Sequence, residues 1–183
     1  MTVGATQKVE RVTHVVQGEY AISADPDLVL TTILGSCVSA CLRDPAVGVG
    51  GMNHFLLPGD TGEKAETVKY GVHAMELLIN SLLQRGAMRS RLEAKLFGGA
   101  CVVRGLSTDV GAKNAAFAKR FLEAEGIACV SEDLGGAQAR RIRYWPVSGR
   151  ASLQWLAPSA AQLHELERRA PEKPATAGAV ELF

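Results

Sequence analysis

A thiol and an imidazole lie close together in this sequence, each beside glycine. Cys37 closes the segment Leu34-Gly35-Ser36-Cys37, and His54 follows seventeen residues later in Gly50-Gly51-Met52-Asn53-His54. A cysteine on a glycine-formed turn, next to a second glycine-flanked segment carrying a histidine, holds the parts of a nucleophile and its base. The chemistry open to such a pair is acyl transfer through a covalent thioester. A free thiol titrates near about 8.5 and is only partly ionised at neutral pH, so a neighbouring imidazole is the natural source of the thiolate.

Gly35 allows a turn and a close backbone approach that a Cβ would obstruct, which lets the amides around Ser36 and Cys37 point at a substrate carbonyl oxygen. Gly35 and Ser36 are therefore candidate substrate-binding residues. A third group should fix the imidazole tautomer, and Thr31, on the strand leading into the turn, can do so through its hydroxyl or carbonyl. The expected set is Cys37 as nucleophile, His54 as base and Thr31 as the residue that orients it. Cys37-x-x-x-Cys41 with His54 lacks the second half of a zinc-binding pattern, so no metal is expected. Cys41, Cys101 and Cys129 have no such context and read as core thiols. His14, His73 and His164 read as surface or packing residues.

These groups need elements to hold them. From Arg11 to Leu57 the pattern is that of short strands: Val12, His14 and Val16 alternate, and turn signals fall at Asp25-Pro26, Asp44-Pro45 and Pro58-Gly59. Between Ala65 and Arg85, Val68, Val72, Met75, Ile79 and Leu82 recur at helical spacing before Gly86. Glu93 to Phe97 reads as a strand ending at Gly98-Gly99, and Gly111 to Glu125 as a second helix capped by Gly126. Ile127 to Glu132, Arg141 to Val147 and Ala151 to Leu156 read as strands, the last two joined at Ser148-Gly149. Arg140, Arg141 and Arg143 read as a solvated strand face. Strand runs broken by two helices favour an α+β class, a layered α/β sandwich with a mixed, mostly antiparallel sheet. Pro158 to Ala170 can form a further helix through Leu163 and Leu166, followed by a Pro- and Ala-rich tail. The expected division is thus 1–157 as the domain and 158–183 as a helix and flexible tail.

Composition excludes several other classes. A chain of 183 residues, 47% hydrophobic and 21% charged, is long enough for one cored domain. With 20 basic against 19 acidic residues there is no electrostatic case for nucleic acid. The start of the chain has no apolar leader, and no stretch approaches the roughly 18 apolar residues of a membrane span. A cytoplasmic protein with reduced cysteines is expected, not one inserted in a membrane.

Several separated segments together carry a resemblance. Thr31-Thr32-Ile33-Leu34-Gly35-Ser36-Cys37-Val38, Gly50-Gly51-Met52-Asn53-His54-Phe55-Leu56-Leu57-Pro58, Lys69-Tyr70-Gly71, Lys95-Leu96-Phe97-Gly98-Gly99-Ala100, Asn114, Glu132-Asp133-Leu134-Gly135-Gly136 and Ser148-Gly149-Arg150 occur in the order of the CheD family of chemoreceptor glutamine deamidases. The resemblance covers residues 12 to 155. It implies a sandwich related to deamidating toxin catalytic domains, a Cys-His-Thr set falling on Cys37, His54 and Thr31, and no cofactor. It also implies conversion of receptor glutamines to glutamate, with glutamyl methyl esters as possible further substrates, and a CheC-like phosphatase as a partner. Gly98 and Gly99 would leave room near Cys37 for a substrate helix. A rival reading keeps the fold as a non-catalytic binding module for such a phosphatase.

Overall fold

The computed structural model describes residues 10–57, 64–101 and 110–157. Nine strands and two α-helices appear among them: β1 (Arg11–His14), β2 (Tyr20–Ser23), β3 (Leu28–Leu34), β4 (Val38–Asp44), β5 (Val49–Asn53), α1 (Lys64–Gln84), β6 (Glu93–Gly98), α2 (Val110–Ala124), β7 (Ala128–Leu134), β8 (Arg140–Tyr144) and β9 (Ala151–Trp155). The strands form two mixed sheets, one ordered β1-β3-β8-β9 and one ordered β2-β5-β4-β6-β7. Each sheet has a single parallel pair, β1 with β3 and β6 with β7. The other pairings are antiparallel.

Period-2 alternation explains the layering. On β4, Val38, Ala40 and Leu42 join Met75, Leu78, Ile79 and Leu82 of α1 and Phe117, Ala118, Phe121 and Leu122 of α2 in one core. The intervening Cys37 and Cys41 face the other way, joining Met52, Phe97, Leu30, Leu34, Ile142 and Tyr144 in a second core between the sheets. The result is three layers: helices, five-stranded sheet, four-stranded sheet. This is the layered α+β sandwich that the sequence pattern implies.

Three details depart from the sequence reading. Val68 and Val72 of α1 are exposed, because the packed face there runs through Gly71. A Cβ on Gly71 would stand 2.6 Å from both Leu57 and Phe117, a closeness only glycine permits. Cys101 and Cys129 are exposed, not core thiols; β7 is an edge strand whose first five residues face solvent. Arg140 is wholly buried, in contrast to Arg141 and Arg143. Its inward register opposite Leu34 carries the guanidinium to the Asp133 carboxylate and to the carbonyls of Asp133 and Gly135, beneath the ring of Trp155. The helix expected over Pro158 to Ala170, His164 and the turn at Pro58-Gly59 lie outside the described residues.

Candidate active site

β4 and β5 position the two reactive residues. Phe55 and Val38 exchange both backbone hydrogen bonds, at 2.9 and 3.0 Å, extending the β4–β5 register by one bridge. Both side chains point into the helix-side core, where Phe55 meets Phe117 edge-on at 5.9 Å between centroids. Their neighbours Cys37 and His54 consequently project from the opposite face, into the space between the sheets. Each is only 2% exposed.

The imidazole is held by the second sheet. His54 Nδ1 lies 2.8 Å from Thr32 Oγ1 and 3.4 Å from the Val15 carbonyl. A threonine hydroxyl has one proton to give, and Thr32 gives it to the Val15 carbonyl at 2.7 Å. Its oxygen can therefore only accept from His54, which places the ring proton on Nδ1 and leaves Nε2 as the basic atom. Nε2 is buried and has no hydrogen-bond partner among the described residues. Burial lowers the His54 pKa to about 4, against a raising effect of the Val15 carbonyl, so the ring is neutral at neutral pH.

Thr31 is not the threonine at His54. On β3 the residues Leu30, Thr32 and Leu34 face the intersheet core, so Thr31 faces away and donates its hydroxyl to the Ile142 carbonyl at 2.8 Å. Two adjacent threonines cannot share a face of one strand, and the packing of the sheet selects Thr32.

The turn carrying the thiol is tied from one side. The carbonyls of Gly35, Ser36 and Cys37 accept, in order, from Ala100 N (2.8 Å), Asn114 Nδ2 (2.8 Å) and Gly99 N (2.7 Å). All three donors belong to the β6–α2 side. Among the described residues no peptide bond is cis, so the amides of Ser36, Cys37 and Val38 turn away from those donors. The Val38 amide donates to the Phe55 carbonyl at 3.0 Å.

Gly98 and Gly99 belong to this support. Both have positive φ, 109° and 67°. A Cβ on Gly98 would collide with the Cys37 carbonyl, and one on Gly99 would stand 2.8 Å from the Gly111 carbonyl. The room these glycines leave is occupied by the nucleophile loop and by α2.

Asn114 connects the two arms of the site. From a fully buried position on α2 it donates to the Ser36 carbonyl and accepts from Leu57 N at 2.9 Å. The sequence marks Asn114 as a motif residue without showing this clamp. Gln17 was not singled out at all, yet its Oε1 accepts from Cys37 Sγ at 3.5 Å. Cys41, deeper on the same face, has its thiol pushed up to about 12 by burial, which makes it unreactive.

Comparison with known proteins decides the family. The family model described as CheD chemotactic sensory transduction matches residues 56–154, more than half of the chain. A protein of Caulobacter vibrioides (strain NA1000 / CB15N), named probable chemoreceptor glutamine deamidase CheD, is 56% identical over 173 residues, covering 93% of this chain and 92% of its own. The protein of the same name from Rhizobium meliloti (strain 1021) is 55% identical over 175 residues, with 93% and 95% covered. The chain belongs to the CheD family. The family match begins two residues after His54, but an alignment spanning 93% of the chain must include both Cys37 and His54. Three of the other motif segments support the pair: Gly98-Gly99 and Asn114 hold its turn, while Gly135, through Gly135 N to the Gly98 carbonyl at 2.8 Å, anchors the end of β6. Among solved structures, Neisseria meningitidis protein NMB0706 superposes with a TM-score of 0.45 at 10% identity, covering 70% of this chain and 63% of its own.

Proposed function

We propose that this chain hydrolyses glutamine side chains of chemoreceptors to glutamate, with Cys37 as nucleophile and His54 as base and acid. The observation that carries the reading is the Thr32–His54 hydrogen bond, which leaves a basic Nε2, without a partner among the described residues, on the face that also bears the thiol. The names of relatives at 55–56% identity agree with it.

The steps follow from the atoms. Nε2 takes the Cys37 proton, and the thiolate attacks the carboxamide carbon of a receptor glutamine. The oxygen gains negative charge, which the amides of Ser36 and Cys37 stabilise. His54 returns the proton to the nitrogen, the C–N bond breaks and ammonia leaves a thioester. Water then gives a proton to Nε2 and attacks the thioester, the C–S bond breaks, and the thiolate recovers its proton. Thr32 holds Nδ1 throughout, so the same Nε2 serves each transfer. The receptor helix gains one negative charge, which alters repulsion between packed helices and biases their signalling equilibrium. A glutamyl methyl ester fits the same sequence with methanol as leaving group. The setting is cytoplasmic, where receptor signalling helices and a CheC-like phosphatase would be met.

The test is incubation with purified receptor cytoplasmic fragments, followed by mass spectrometry of their peptides. Glutamine-to-glutamate conversion by the parent chain and none by Cys37→Ser is the expected result. Conversion by a folded Cys37→Ser protein would remove the covalent mechanism. No conversion by the parent would leave the binding-module reading in its place.

A further inference from the structure

The carboxamide beside the nucleophile belongs to the protein itself. Gln17 Oε1 accepts a hydrogen bond from Cys37 Sγ at 3.5 Å, so an amide group of the kind the enzyme would hydrolyse already rests against the reacting sulfur. The backbone that carries this side chain is itself tied to the site. Gly18, at φ 85°, turns the chain directly after Gln17, and Gly18 N donates to the His54 carbonyl at 2.7 Å. His54 N in turn donates to the Glu19 carbonyl at 3.0 Å, and Glu19 N closes the turn on the Val16 carbonyl at 3.0 Å. The Gln17 turn and the catalytic imidazole are thus bonded backbone to backbone.

Burial adds the second argument. Cys37 and His54 are each 2% exposed, whereas Gln17 is exposed to solvent. A receptor side chain approaching the thiol from that side meets Gln17 first.

We propose that Gln17 occupies the place of the substrate carboxamide, as an internal plug that an incoming glutamine must displace before Cys37 can react. The proposal rests on the deamidase reading for the identity of that substrate. Gln17 is then a residue governing access and selectivity: it sets a threshold that only a carboxamide able to replace its hydrogen bond, on a helix able to fill its space, can pass. It takes no part in proton transfer.

The experiment compares the full-length parent with Gln17→Ala and with Gln17→Asn, whose amide is one methylene too short to reach the sulfur. Cys37 alkylation by iodoacetamide is followed by mass spectrometry, and receptor deamidation by KM and kcat separately. Both variants should alkylate at Cys37 roughly fivefold faster, the equivalent of one lost side-chain hydrogen bond, and should lower KM by a similar factor at unchanged kcat. Unchanged alkylation and KM in both variants would overturn the plug. So would a fall in kcat, which would make Gln17 a helper of the bound substrate. The alkylation arm needs no receptor, so failure of the deamidase reading, visible as an inactive parent, is distinguishable from failure of this one.

Discussion

On its helix side the five-stranded sheet presents Val38, Ala40, Leu42 and Phe55; on its other side the same two strands present Cys37, Cys41, Met52 and His54. Apart from Asn53, which donates to the Ala74 carbonyl of α1, the first face is apolar and close-packed, and its residues contribute stability by leaving water. The second keeps a neutral imidazole, a threonine hydroxyl and a thiol in the interior, each polar atom needing a partner. The difference shows how one hairpin serves both purposes: alternate residues go to alternate layers, so anchoring and chemistry do not compete for the same positions. Substitutions on the helix side should therefore cost stability at constant turnover per folded molecule, and those on the other side the reverse.

The largest expected break of this separation is at His54. His54→Ala should lower deamidation by about 10⁴-fold, with Cys37→Ser similar and the double variant scarcely worse, because residues acting as one unit are not additive. Iodoacetamide labelling of Cys37 should slow in His54→Ala at neutral pH. On the helix side, Leu78→Ala should cost about 2–5 kcal/mol in denaturant unfolding while kcat, corrected for folded fraction, stays at the parent value. A large kcat loss there would mean that the layers are coupled more tightly than the geometry implies.

Thr32→Val sharpens the comparison within one strand. Losing the acceptor for Nδ1–H should reduce kcat by about 10–100-fold, the scale typical of a group supporting a catalytic residue, while Thr31→Val should change kcat little and cost about 1 kcal/mol through the unsatisfied Ile142 carbonyl. Equal effects would remove Thr32 from the orienting role. Acid also separates the two threonine environments. The His54 pKa is lowered from 6.5 to about 4 in the fold, so the unfolded chain binds the proton first as pH falls. Its contribution is fully present above pH 6.5 and is lost progressively between 6.5 and about 4. Urea unfolding of the parent against His54→Gln over that range should show a flatter acid limb in the variant. The smallest effect belongs to Cys41→Ala: about 1 kcal/mol of stability and activity within a few fold.

Much of this was legible in the sequence, and the gaps have specific causes. Cys37 and His54 announce themselves through flanking glycines, and α2 through Phe117 and Phe121. The choice between Thr31 and Thr32 depends on which face of β3 meets the other sheet, and both residues suit either face. Arg140 looked solvent-facing because it stands with Arg141 and Arg143 in one basic run, and only the Asp133-to-Gly135 turn folding over it supplies the acceptors that permit burial. Cys129 read as a core thiol because nothing around it marks a nucleophile, yet its strand is an edge. Asn114 and Gln17 act through partners 78 and 20 residues away, separations at which a single sequence is silent.

The bridge between Val38 and Phe55 turns the seventeen-residue interval into a ruler. Position numbers across β4 and β5 sum to a constant, as in Cys41 with Met52 and Val38 with Phe55. Adding one residue inside β5, between Met52 and Asn53, would turn every later side chain over and send the imidazole among the phenylalanines of the helix layer. Adding two would restore its orientation but move it about 7 Å along the strand, out of step with Thr32. Added length in the Asp44–Val49 turn would instead bulge into solvent and leave the ruler unread. The active site is in this sense a matter of counting, which insertion scanning of the hairpin would display as a period of two in fold and an all-or-none pattern in turnover.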